Sequence, residues 1–135
     1  MPVKDFSVRV GSEILEAGGE VIKVSKVINH PSFNAYTFDF DFSILTLARN
    51  IVVNGVSKAI IPLPPANQAI ADGSQVFVTG WGYTLNPNES INVLRGVVVQ
   101  TTNQASCNKV YLESGGITAN MVCAASPGKD SCNVS

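Results

Sequence analysis

Apolar and polar side chains alternate with a period of two along much of this chain, the pattern of half-buried strands. Phe6-Ser7-Val8-Arg9-Val10 is the first such run. Residues 21–28 are the second, with Lys23, Ser25 and Lys26 on the polar side. Gly18-Gly19 before it marks a turn. Further strands are predicted at residues 41–47, 57–62 and 74–79, the last ending at Gly80-Trp81-Gly82, then at 93–102 and 121–125. Leu63-Pro64-Pro65-Ala66-Asn67 cannot continue a central strand, because proline offers no backbone donor. Residues 63–73 are therefore read as a connection, and residues 86–90 as a loop. One short helix is predicted over residues 104–112, with Asn103 as its N-cap. Gly115-Gly116 ends it. Short strands at even spacing are the mark of barrels or sandwiches. There is no internal repeat and no low-complexity tract.

The chain has 135 residues, 45% hydrophobic and 14% charged, enough to bury a core as one ordinary domain or two very small ones. A net charge of −1 gives no support for a nucleic-acid or membrane-surface partner. No run approaches the roughly 18 apolar residues of a membrane span. Met1-Pro2-Val3-Lys4-Asp5 has no apolar core of the kind an export signal needs. The cysteines are Cys107, Cys123 and Cys132. None are spaced as a zinc site or a redox pair, so no metal and no cofactor is expected. Their odd number implies one disulfide and one orphan.

Periodicity stops at an all-β domain, but short words in the sequence go further. Val8-Arg9-Val10-Gly11, His30-Pro31-Ser32-Phe33-Asn34, Asp41-Phe42-Ser43-Ile44-Leu45, Gly80-Trp81-Gly82, Cys107-Asn108, Ile117-Thr118-Ala119-Asn120-Met121-Val122-Cys123-Ala124 and Gly128-Lys129-Asp130-Ser131-Cys132 follow one another in the order found in trypsin-like serine proteases. The chain resembles the insect digestive branch of that family from about Phe6 to Asn133. The resemblance implies part of a two-barrel Greek-key fold, with early strands of the first barrel and late strands of the second missing. Residues 1–73 would be the partial first barrel with its connection. Residues 74–135 would be the partial second.

The resemblance also implies the site. Acyl transfer in this family uses a serine, a histidine that takes its proton, and a buried aspartate that orients the histidine. Asp41, just before the strand Phe42-Ser43-Ile44-Leu45, matches that aspartate. Asp39 reads instead as a charge guarding a strand edge. His30 is the single histidine, but it falls in the loop leading to the aspartate and not in the word that carries the base. The base and the nucleophile are both expected to be absent from this chain. Val134 stands at the oxyanion glycine, and Ser135 is not the nucleophile. Asp130 matches the floor of the primary specificity pocket, where a carboxylate pairs with a substrate Arg or Lys. Ser131 and Tyr111 would line the same pocket. Cys107 and Cys123 match a family disulfide, which leaves Cys132 unpaired.

The loop from Gly11 to Glu20 is shorter than the calcium loop of vertebrate relatives, with Ser12 at a ligand position, so no calcium is expected. Asn88-Glu89-Ser90 is a formal glycosylation sequon. Val134-Ser135 is what a splice donor encodes when read in frame, and the mature message is expected to continue after Asn133. The whole protein is expected to be a secreted, monomeric endopeptidase that cleaves after Arg or Lys. Its partners would be polypeptide substrates or protein protease inhibitors. The chain alone is expected to be inactive. The other reading is a non-catalytic homologue that binds or regulates.

Overall fold

The computed structural model describes Val3 and residues 6–129. Asp130, Ser131, Cys132, Val134 and Ser135 lie outside the described residues, as do the expectations placed on them. The elements are β1 (Ser7–Val10), β2 (Glu20–Asn29), β3 (Ser43–Leu47), β4 (Gln75–Gly80), β5 (Arg95–Thr101), α1 (Gln104–Tyr111), a 3₁₀ turn at Leu112–Ser114 and β6 (Ala124–Ala125). They form two antiparallel three-stranded sheets, ordered β1-β2-β3 and β4-β5-β6. The architecture is all-β with one short helix, as the alternation predicts.

Alternation decides which faces are buried. In β2, Ile22 and Val24 are buried while Lys23 and Ser25 point out. The pairing with β3 shifts between Val24 and Lys26, a bulge that lets Ser25 and Lys26 both face solvent. In the second sheet Val76 pairs with Val99 and Val78 with Val97 on the inner side. Val99 is 5% exposed, whereas Phe77 on the opposite face is 68% exposed. Thr101 is buried but fully engaged: its hydroxyl donates to the Ala71 carbonyl at 2.7 Å and accepts the Ser74 amide at 2.9 Å. Among the described residues only Ile22, Val24, Val99 and Cys123 are buried apolar side chains. Phe42, Ile44, Val52 and Ile70 stay exposed.

The strand expected at residues 57–62 does not form. The Asn54 side-chain oxygen accepts the amides of Val56, Ser57 and Lys58 at 3.0–3.1 Å, which folds this stretch into a turn. Ile60 and Ile61 beyond it are more than 80% exposed, and among the described residues no strand pairs with them. Pro62, Pro64 and Pro65 supply no donors. The strand expected at 121–125 shortens to Ala124–Ala125, and the one expected at 41–47 begins only at Ser43. The helix matches its expected span, and the Asn103 side chain accepts the Ser106 amide at 3.1 Å as an N-cap.

The two sheets meet along two seams. At one, Glu13 and Leu15 run beside Asn92 and Leu94, with the Leu15 amide on the Asn92 carbonyl at 2.8 Å and the Leu94 amide on the Glu13 carbonyl at 2.7 Å. Trp81 adds its indole N–H to the same Glu13 carbonyl. At the other, the loop before β3 reaches the loop between α1 and β6, through Asp39.

Candidate active site

The loop between β2 and β3 is wound tightly by its own polar groups. The Asn34 side-chain oxygen accepts the amides of Tyr36 and Thr37 at 2.9 and 3.2 Å, and the Asn34 amide donates to the Asp39 carbonyl at 3.1 Å. The chain then passes through positive φ at Phe38 (56°) and again at Phe40 (53°). Bulky side chains are disfavoured there, at about 1–3 kcal/mol each. His30 closes the loop from below. Its ring stacks on Phe40 at 4.5 Å and tilts against Phe42 at 4.8 Å, and its amide donates to the Phe42 carbonyl at 3.2 Å. His30 Nδ1 accepts the Ser32 amide at 3.1 Å, which puts the proton of the neutral ring on Nε2.

The facing loop is built by α1. Gln104 donates its side-chain N–H groups to the carbonyls of Thr118 and Met121 at 2.7 and 3.2 Å. Asn108 accepts the Ile117 amide at 2.6 Å. Gly115 and Gly116 supply the positive φ that turns the chain back (99° and 75°). A disulfide joins Cys107 of α1 to Cys123, closing a loop with a sequence separation of 16. In a chain-entropy account a bridge of that span contributes about 3 kcal/mol.

Asp39 links the two loops. Its Oδ1 accepts the Thr118 hydroxyl at 2.6 Å, the Asn120 side-chain amide at 3.0 Å and the Phe40 backbone amide at 3.0 Å. The Thr118 bond first, then Asn120, holds the Asp39 carboxyl below the ordinary carboxylate range, against a smaller upward push from partial burial. The reading of Asp39 as a mere edge charge is therefore corrected. Its partners are 79 and 81 residues away in sequence, so no local signal marks them.

A cleft of about 710 Å³ opens beside this link, lined by His30, Phe38, Phe40, Asp41 and Phe42 from one half and Asn120, Met121 and Val122 from the other. Asp41 stands on its wall. Its carboxylate is exposed and makes no hydrogen bond among the described residues, whereas the resemblance implies a buried one. A second cavity, of about 770 Å³, lies against β4 and β5 and is lined by Trp81, Tyr83, Arg95, Gly128 and Lys129 among others. Tyr111, half exposed at the end of α1, is not among its lining residues. The structure thus joins Asp41 to the segment 120–122 but does not bring Tyr111 to the Gly128–Lys129 cavity.

The bridge between Cys107 and Cys123 forms as the resemblance implies. In the short loop after β1, the Ser12 hydroxyl donates to the Ala17 carbonyl at 2.5 Å and accepts the Ile14 amide at 3.0 Å, while Arg9 donates to the Gly18 carbonyl at 2.6 Å. Asn88 is exposed in a turn where the Glu89 amide meets the Asn86 carbonyl.

Residues 3–134 match the family described as Trypsin. The chain is 42% identical over 130 residues to Trypsin 5G1 of Aedes aegypti, covering 95% of this chain and 48% of that protein. It is 34% identical over 131 residues to the Vitellin-degrading protease of Bombyx mori, covering 96% and 49% respectively. It is also 34% identical over 129 residues to a Trypsin of Simulium vittatum, covering 94% and 52%. The chain spans about half the length of these curated relatives.

Proposed function

Because this chain belongs to the trypsin family of serine proteases, we propose that it supplies the aspartate-bearing wall and the pocket floor of a secreted endopeptidase that cleaves polypeptides after Arg or Lys. The observation that carries this reading is the position of Asp41 in a cleft shared by both halves of the chain. A carboxylate there is placed to accept an imidazole N–H, to fix which ring nitrogen takes a proton from the nucleophile, and to stabilise the imidazolium that results. His30 is not that imidazole in this reading, because its ring is committed to Phe40 and its Nδ1 to the Ser32 amide. Residues 1–73 and 74–135 serve as parts of the two barrels. Asp130, with Ser131, forms the base of the primary pocket, and its charge selects a basic side chain that would otherwise be buried without a partner. Protein protease inhibitors would enter by the same cleft.

The 135-residue chain itself, with neither base nor nucleophile, has no peptidase activity in this reading; losing such groups costs about 10⁶ in rate. The test uses the longest natural polypeptide that carries residues 1–135 and an arginyl amide substrate, with an active-site acylating inhibitor as control. Inhibitor-sensitive turnover is expected, and Asp130→Ser is expected to lower kcat/KM for arginyl and lysyl substrates by orders of magnitude. An inactive polypeptide would favour the non-catalytic homologue. An active one whose preference for basic residues survives Asp130→Ser would refute the pocket assignment.

A further inference from the structure

Asp39 sits between the two positive-φ residues, Phe38 and Phe40, and two positions before Asp41. Three donors converge on its Oδ1, one from the turn itself and two from the loop held by α1. Its own carbonyl holds the Asn34 amide, so the turn is fastened on both sides of the peptide. A backbone that enters the left-handed region twice within three residues, both times with an aromatic side chain, persists only where its surroundings over-determine it. Here the carboxylate does so. The Phe42 amide on the Phe40 carbonyl at 2.8 Å then passes the constraint into the start of β3. Asp41 lies inside this short span.

We propose that Asp39 is a positioning residue for proteolysis: its carboxylate locks the Phe38–Phe40 turn to Thr118 and Asn120 and so sets where the Asp41 carboxylate stands in the cleft. This rests on the reading of Asp41 as the orienting aspartate. Asp39 touches no reacting atom. It acts through geometry, and a displacement of about 1 Å in a group that aligns reactants costs on the order of 10²-fold in rate. Its charge is not what matters. The titratable groups that share the cleft are His30 and Asp41, and an uncharged acceptor at position 39 would keep the same three donors in place.

The test measures kcat and KM in the longest natural polypeptide that carries residues 1–135. Asp39→Ala is expected to lower kcat by about 10-fold to 100-fold with KM changed less than about threefold. Asp39→Asn, which keeps the Oδ1 acceptor, is expected to restore most of the lost kcat. Thr118→Val is expected to lower kcat by a smaller factor and to add nothing in the Asp39→Ala background, since both changes break one link. Should Asp39→Ala not fold, Thr118→Val and Asp39→Asn still decide the matter. An unchanged kcat in Asp39→Ala, or in Thr118→Val when it is the variant that folds, overturns the proposal. So does an Asp39→Asn variant as impaired as a folded Asp39→Ala, because charge and not geometry would then be the cause. An inactive wild-type polypeptide overturns the protease reading and this proposal together, whereas an active wild type with an unaffected Asp39→Ala overturns this proposal alone.

Discussion

The indole N–H of Trp81 donates to the backbone carbonyl of Glu13 at 3.1 Å, across 68 positions of sequence. With the Leu94 amide on the same oxygen, it pins the loop after β1 to the second sheet. Trp81→Phe keeps an aromatic ring and removes the donor. The expected loss is about 1 kcal/mol, measured by urea unfolding of the longest natural polypeptide. The Leu15 amide, which joins the same seam, should exchange faster with solvent. An unchanged unfolding midpoint would show that this bond stabilises nothing.

Acid should loosen the fold at a second point. Glu20 accepts Lys58 Nζ and pairs with Arg49, each at 2.7 Å. The Lys58 bond first, then Arg49, holds its carboxyl below the ordinary range. A carboxyl depressed in the folded state adds stability above its unfolded pKa of about 4, and that stability is lost as pH falls through the folded value. Glu20→Gln is therefore expected to be less stable than the parent at neutral pH. The gap should close between about pH 5 and pH 2, because protonated Glu20 resembles glutamine. A gap that widens in acid would contradict the assignment.

Two glycines with similar backbone angles should respond very differently to alanine. Gly19 (φ 58°) lies so close to Val10 and Gly11 that a Cβ would run into their backbone atoms. Gly55 (φ 70°) has open space around it. Gly19→Ala is expected to cost about 3 kcal/mol, strain and collision together. Gly55→Ala should cost about 1 kcal/mol from strain alone. Equal losses in denaturant titrations would mean that the close approach at Gly19 is not maintained in solution.

The 135-residue chain on its own should expose a large apolar surface. Phe42, Ile44, Phe77 and Ile61 are each more than half exposed, and among the described residues few apolar side chains are buried. Strong binding of a hydrophobic dye, weak near-UV dichroism and a broad thermal transition are expected. A sharp, cooperative melt of a monomer with little dye binding would count against this.

The strand positions were legible because a period of two is written locally, and β1, β2, β4 and β5 each lie where alternation places them. Ile60 and Ile61 carry just as apolar a signal and form nothing, since a strand needs a partner and no local pattern states whether one is present. The bulge at Ser25 was readable only as an extra polar residue. Asp41 and the cysteine pair came from resemblance, and the bridge between Cys107 and Cys123 was found in place. The role of Asp39 has no local signature, because its partners lie in another part of the chain. Phe38 and Phe40 gave no warning either: an aromatic residue is a poor sign of a left-handed turn, so tertiary contacts must hold it there.

The disulfide encloses Thr118 and Asn120 within its loop, although Asp39 lies far outside it. Closing that ring removes many of the shapes the segment would otherwise sample, and so raises the effective concentration at which its two donors are offered to the carboxylate. Oxidation of two sulfurs that flank this segment thus turns the docking of the Phe38–Phe40 turn against it from a search into a match between prepared surfaces.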